Sequence, residues 1–144
     1  MSGWLVFDTS VYVTILRDRE FAGAFRERYR RDVPRTHICS VVIQELLAGA
    51  RTSQHRRFAA ALYEPFERVG RVVTPTHRVW KDAGAVLAGL WTRLPAARSR
   101  VARGLGNDVL IALTARSIGA TVITRNGRDF RLVQQVRPFE LEVV

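Results

Sequence analysis

A helix that is apolar on every side has to be covered on several sides, which demands at least one further layer of structure around it. The segment NDVLIALTARSI at 107–118 predicts such a helix, because the six residues after Asp108, from Val109 to Thr114, carry no charge. Asp108 at its head is therefore either a helix cap or part of a site. The other elements follow from hydropathy pattern and turn residues. Short apolar runs predict strands at 3–7, 36–39, 71–74, 120–124 and 139–144. Helical patterns lie between them at 11–18, 19–31, 41–50, 53–69 and 77–94. The basic stretch PAARSRVARGLG at 95–106 reads as a mobile segment, and TRNGRDF at 124–130 as a glycine-containing turn. Strands alternating with helices imply an α/β fold whose central sheet of four or five strands is mainly parallel and covered by helices on both faces. With 144 residues, no repeat and no linker, one domain over 1–144 is expected.

Composition narrows the partners. The 23 basic residues outnumber 13 acids for a net charge of +10, and Lys81 is the sole lysine, so 22 of the bases are arginines. Such an excess attracts polyanions, of which nucleic acid is the commonest in cytoplasm. No apolar run approaches the roughly 20 residues a membrane helix needs. The opening MSGWLVFDTSVYVTIL is interrupted by Asp8 and lacks the early cations of a signal peptide, so a cytoplasmic protein without membrane contact is expected. The single cysteine, Cys39, excludes an intrachain disulfide and reads as a small buried hydrophobe at a strand end. His37, His55 and His77 are scattered, with no zinc-ligand spacing.

Four acids stand where chemistry is done in parallel sheets. Asp8 directly follows the first strand, the carboxyl end at which open sheets bind ligands, although an N-cap would also explain it. Glu45 shares a largely apolar helix face with Val41, Val42, Ala48 and Gly49, so it needs a partner, either an arginine or a cation. Asp108, beside Asn107, occupies a first helical turn, where the macrodipole favours an anion. Asp129 follows the fourth strand, with Arg125 four residues earlier as an ordinary partner. Two such charges ~4 Å apart repel by about 4 kcal/mol at an effective dielectric near 20. Four on one rim must take up protons, recruit arginines or bind a hard divalent cation, for which oxygen ligands suit Mg²⁺ or Mn²⁺. Trp80 and Trp91, eleven residues apart on one helix, are expected to pack on the core or on a partner subunit.

The stretches LVFDTSVY, SVVIQELLAGA and GNDVLIALTARSIGATVITRNGRDF, in this order, resemble the PIN-domain ribonucleases, and among them the VapC toxins of bacterial toxin–antitoxin pairs. The resemblance covers essentially the whole chain. It implies a three-layer α/β/α sandwich, an endoribonuclease dependent on Mg²⁺ or Mn²⁺, a homodimer, and a cognate antitoxin whose tail blocks the acidic pocket. By position, Asp8, Glu45 and Asp108 match the family's metal-site acids, with Asp8 and Asp108 as expected ligands. Thr9 and Thr124 match hydroxyl residues near the pocket, and Asn107 matches a common family residue that could equally cap its helix. Some relatives place the fourth acid where this chain has Asn126, others at the position of Asp129, and both remain open. Arg98, Arg100 and Arg103, with Arg125 and Arg128, are the expected phosphate contacts. Two rival functions are an inactive RNA-binding or regulatory module and a phosphatase of the haloacid-dehalogenase type. The second is disfavoured because Ser10 stands where that family has a second acid.

Overall fold

The computed structural model describes residues 3–144; Met1 and Ser2, the start of the expected single domain, lie outside the described residues. Among these residues five strands form, all paired in parallel. They are β1 (Leu5–Phe7), β2 (Ile38–Cys39), β3 (Val72–Val73), β4 (Thr121–Thr124) and β5 (Leu141–Val143). The main sheet has three strands in the order β1-β4-β5, with Leu5 opposite Thr121 and Thr124 opposite Val143. The pair β2-β3 forms a second sheet, joined to the first by a single bridge between Leu5 and Thr36 and the bond from His37 N–H to the Leu5 carbonyl, 2.9 Å. A mainly parallel central sheet of four or five strands was the expectation, and three strands form the main sheet. The break between the two sheets has a local cause: Pro34 sits in a 3-10 turn at Val33–Arg35, and the next helix begins at Ser40, which leaves β2 only two residues long.

Helices surround the sheet, as an α/β sandwich requires. They are α1 (Thr9–Arg17), α2 (Arg19–Asp32), α3 (Ser40–Gly49), α4 (Ser53–Arg68), α5 (His77–Arg93), α6 (Arg98–Ala102), α7 (Gly106–Ser117) and α8 (Gly127–Gln134). Capping side chains mark the starts of several of them. Asp18 accepts from the N–H groups of Glu20 and Phe21 at the head of α2, Thr52 from His55 in α4, and Thr76 from Val79 in α5. The apolar helix α7 has every residue from Val109 to Ala115 buried, and packs against α3, α5, α8, β2 and β4. Cys39 is buried at the end of β2 as expected. Trp80 and Trp91 are 57% and 45% exposed, so neither is a core residue. Among the described residues no helix is long and apolar enough to cross a membrane.

Two segments differ from the sequence-based expectation. Residues 95–106 are a 3-10 turn (Pro95–Ala97) followed by α6, pinned by buried Ala97 and Leu105 rather than running as a mobile basic loop. The expected turn after Asn126 is helix α8, whose buried Phe130 and Val133 recur at helical spacing. Gly127 disguised it, since Asn-Gly is a strong turn signal. The glycine is there for space: a Cβ on Gly127 would stand 2.6 Å from Val143 Cγ2 and 3.1 Å from Arg131 Nη1. Gly127→Ala should therefore force β5 away from α8 and cost about 1–3 kcal/mol. Thermal unfolding checks this; an unchanged midpoint would show that the contact yields freely.

The outer edge of the sheet is tied down electrostatically. Asp32, fully buried, accepts from Arg28, Arg31 and Arg35, and Arg28 also grips Glu142 of β5 at 2.5 and 2.8 Å. Burial alone would raise the proton affinity of the Asp32 carboxyl; the guanidiniums of Arg31 and Arg28 overcome it and hold the group below the usual carboxylate range.

Candidate active site

Parallel pairing of β1 with β4 brings the carboxyl ends of both strands to one rim, and the first candidate side chains sit there. Asp8 follows β1 directly and is 3% exposed. Its Oδ2 accepts from the Ser10 hydroxyl at 2.7 Å, the Thr124 hydroxyl at 2.8 Å and, longer, the Ser10 N–H at 3.4 Å. Asp8 is thus both the N-cap of α1 and a rim acid; the two roles coexist. All the donors found converge on one carboxylate oxygen, leaving Oδ1 without a hydrogen bond among the described residues.

Glu45, half-buried on α3, pairs with no arginine among the described residues. Its Oε1 accepts from the Thr9 hydroxyl at 2.5 Å and its Oε2 from the Asn107 amide at 3.3 Å. Asn107 accordingly spans from α7 to α3 instead of capping its own helix, which has no side-chain cap. Asp108 does not cap it either. Among the described residues its carboxyl has neither a hydrogen bond nor an ion pair, although the site surrounds it with acids. Burial first, then the charges of Asp8, Glu45 and Asp129 in that order, push the Asp108 carboxyl up from 3.8 to about 8, opposed by Arg100. That is the answer to the question its sequence position raised: Asp108 belongs to a group of mutually repelling carboxyls.

Asn126 and Asp129, the two candidates for the fourth position, are bonded to each other. The Asn126 amide donates to Asp129 Oδ2 at 3.0 Å, and its backbone N–H donates to the Thr124 hydroxyl at 2.8 Å. Asp129 Oδ1 forms an ion pair with Arg100 of α6, not with Arg125. Ser10 is the site residue that sequence reasoning passed over. Its hydroxyl donates to Asp8, lies 3.2 Å from the Thr124 hydroxyl and accepts the Arg125 N–H at 3.0 Å. The signal was present, since a serine two residues after an N-cap aspartate is placed to turn its hydroxyl back on it.

The five expected phosphate-binding arginines separate into two groups. Arg100, Arg103 and Arg128 line a cleft of about 750 Å³ that reaches Asp129, with Arg93 as a fourth cation. Arg98 donates to the Trp91 carbonyl at 2.8 Å and lies 5.4 Å over its ring, and Arg125 stacks 4.4 Å over Phe21. Among the described residues no three His, Cys, Asp or Glu side chains form a ready-made metal chelate.

Comparison with known proteins gives consistent matches over nearly the full length. The family model described as the PIN domain matches residues 5–135. The chain is 29% identical over 133 residues to the tRNA(fMet)-specific endonuclease VapC of Shigella flexneri, covering 92% of this chain and 93% of that one. Among solved structures it is similar to the DNA-bound VapBC of Salmonella typhimurium, with a TM-score of 0.70, 26% identity and 98% of each chain covered. It also shares the fold of VapBC-1 from nontypeable Haemophilus influenzae, with a TM-score of 0.63, 22% identity and 96% of each chain covered.

Proposed function

Since the chain belongs to the PIN-domain family, we propose that it is an endoribonuclease dependent on Mg²⁺ or Mn²⁺, and the toxin of a toxin–antitoxin pair. The observation that carries this reading is Asp108, a half-buried acid without a bonding partner among the described residues, whose proton affinity is raised first by desolvation and then by Asp8, Glu45 and Asp129. Oxygen-only donors with excess negative charge fit a hard divalent cation and suit neither zinc nor copper. Asp8 and Asp108 would hold the ion, with Glu45 and Asp129 completing its surroundings. When bound there, the ion supplies neutralisation of charge at the scissile phosphate and a lowered pKa for the attacking water.

The protein's own groups prepare that chemistry. Ser10 and Thr124 clamp one oxygen of Asp8 and leave the other uncommitted, so the carboxylate is oriented before anything binds. Thr9 and Asn107 orient Glu45 differently, by holding one of its two oxygens each. Asn126 orients Asp129, while Arg100 neutralises it. Arg100, Arg103 and Arg128, joined by Arg93, would bind the phosphates of the strand leading to the acids. The relative from Shigella flexneri carries the name of a tRNA-specific endonuclease, which supports RNA as the substrate here. The VapBC assembly similar in fold supports an antitoxin partner, and a homodimer with a cytoplasmic setting completes the reading.

The test is cleavage of RNA by the purified protein, followed by sequencing of the new ends. Chelation of divalent ions should stop the reaction and Mg²⁺ or Mn²⁺ restore it, while Asp8→Asn should lower the rate by about 10³-fold. Activity surviving in Asp8→Asn would overturn the site assignment. RNA binding with no cleavage under any metal would favour the inactive RNA-binding module instead.

A further inference from the structure

A small apolar hollow opens beside the acids, between α1, α3 and α4, and nothing in the mechanism above uses it. Val13, Leu16, Leu46 and Phe58 line it, with Arg17 and His55 also at its wall. Glu45 lines it too, and Glu45 is tied to Thr9 and Asn107 in the acidic cluster, so hollow and cluster share a wall. Its volume of about 150 Å³ is well below that of a pocket for a whole small-molecule ligand, roughly 300–1,000 Å³. Phe58 is 48% exposed and Leu16 40% exposed, leaving an aromatic face and an aliphatic face uncovered.

We propose that this hollow receives one unstacked nucleobase of the RNA, belonging to a nucleotide next to the phosphate held at the acids. The inference rests on the nuclease reading and adds to it a determinant of base preference. Single-stranded RNA is recognised by splaying bases onto aromatic side chains and bonding their edges. Phe58 offers the stacking face, and Arg17 and His55 the donors for a base edge or its phosphate. The surroundings match a polyanion: Arg51, His55, Arg56 and Arg57 are all exposed around the start of α4. A nucleotide's base and phosphate are covalently joined, so a phosphate at the acids brings a base within reach of a wall that Glu45 already shares.

Binding is measured in the Asp8→Asn background, which removes cleavage, with single-stranded oligoribonucleotides carrying an abasic site at each position in turn. One position should respond, its abasic form binding about 5- to 100-fold more weakly, the range of one lost stacking contact. Phe58→Ala should weaken the unmodified RNA by the same factor and the abasic RNA no further. Phe58→Tyr should bind as the parent does, and Phe58→Leu should resemble Phe58→Ala, because it keeps apolar volume but loses the ring. Leucine binding as well as phenylalanine, or losses that simply add, would overturn the proposal and make the hollow a seat for an apolar side chain of a protein partner. Binding and metal-dependent cleavage indifferent to Phe58 would sink this inference alone. Absence of RNA binding and cleavage in the unaltered protein would sink it together with the nuclease reading.

Discussion

Replacing Asp108 by asparagine should abolish RNA cleavage and, in the same protein freed of metal, raise its resistance to heat. The first effect follows from removal of a proposed ligand of the cation, a loss of about 10³-fold or more. The second follows from the cost of the charge. The carboxyl is raised from 3.8 to about 8, first by burial and then by Asp8, Glu45 and Asp129. The folded form therefore binds this proton more tightly than the unfolded chain. Stability from this group is fully present below about pH 4 and is lost progressively as pH rises towards 8. The full loss is bounded by about 6 kcal/mol, each pKa unit being worth about 1.4 kcal/mol. Asparagine has nothing to ionise, so melting curves of the two proteins in chelator should draw apart between pH 5 and pH 9, the variant several degrees higher at the alkaline end. Added Mg²⁺ or Mn²⁺ should stabilise the unaltered protein more than the variant. Parallel curves across that range would mean that Asp108 feels neither the burial nor the neighbouring charges.

The second large effect concerns the arginine cleft. Substituting Arg93, Arg103 and Arg128 together by glutamine should weaken RNA binding at low salt by about 10²-fold and reduce the slope of log affinity against log salt by about 2, since each single-strand phosphate contact contributes about 0.7. Arg100 is left in place because it also neutralises Asp129. Arg98→Gln serves as the comparison. Its guanidinium is committed to the Trp91 ring and carbonyl, so the slope should barely change. Filter binding or fluorescence anisotropy from 50 to 300 mM salt makes the measurement. An equal change in slope from Arg98→Gln alone would show that the cations act through a diffuse field and not through the cleft.

Much of this architecture can be read along the chain, because its elements announce themselves locally. The parallel strands β1 and β4 are near-continuous apolar runs, as strands covered on both faces must be. Helix α7 is apolar all round, and capping residues mark the starts of α2, α4 and α5. Helix α8 and the folded segment at 95–106 were hidden by glycine and arginine, whose meaning depends on what stands opposite. For Gly127 that is Val143, sixteen residues further on in another element.

The candidate site divides along the same line. Residue identity alone put Asp8 at the end of a strand, Asp108 at the head of a helix, Glu45 on an apolar helix face and Asp129 after the fourth strand, and made arginine the dominant charge. Which acid has what partner could come only from the fold, because carboxylate chemistry is decided by neighbours a few ångströms away and these are distant in sequence. Thr9 lies 36 residues from its partner Glu45, and Thr124 lies 116 from Asp8. Tertiary structure gave Asp129 to Arg100, set Arg98 over Trp91, and left Asp108 with no donor among the described residues. Burial and Coulomb repulsion act through space, and only the packed chain sets those distances.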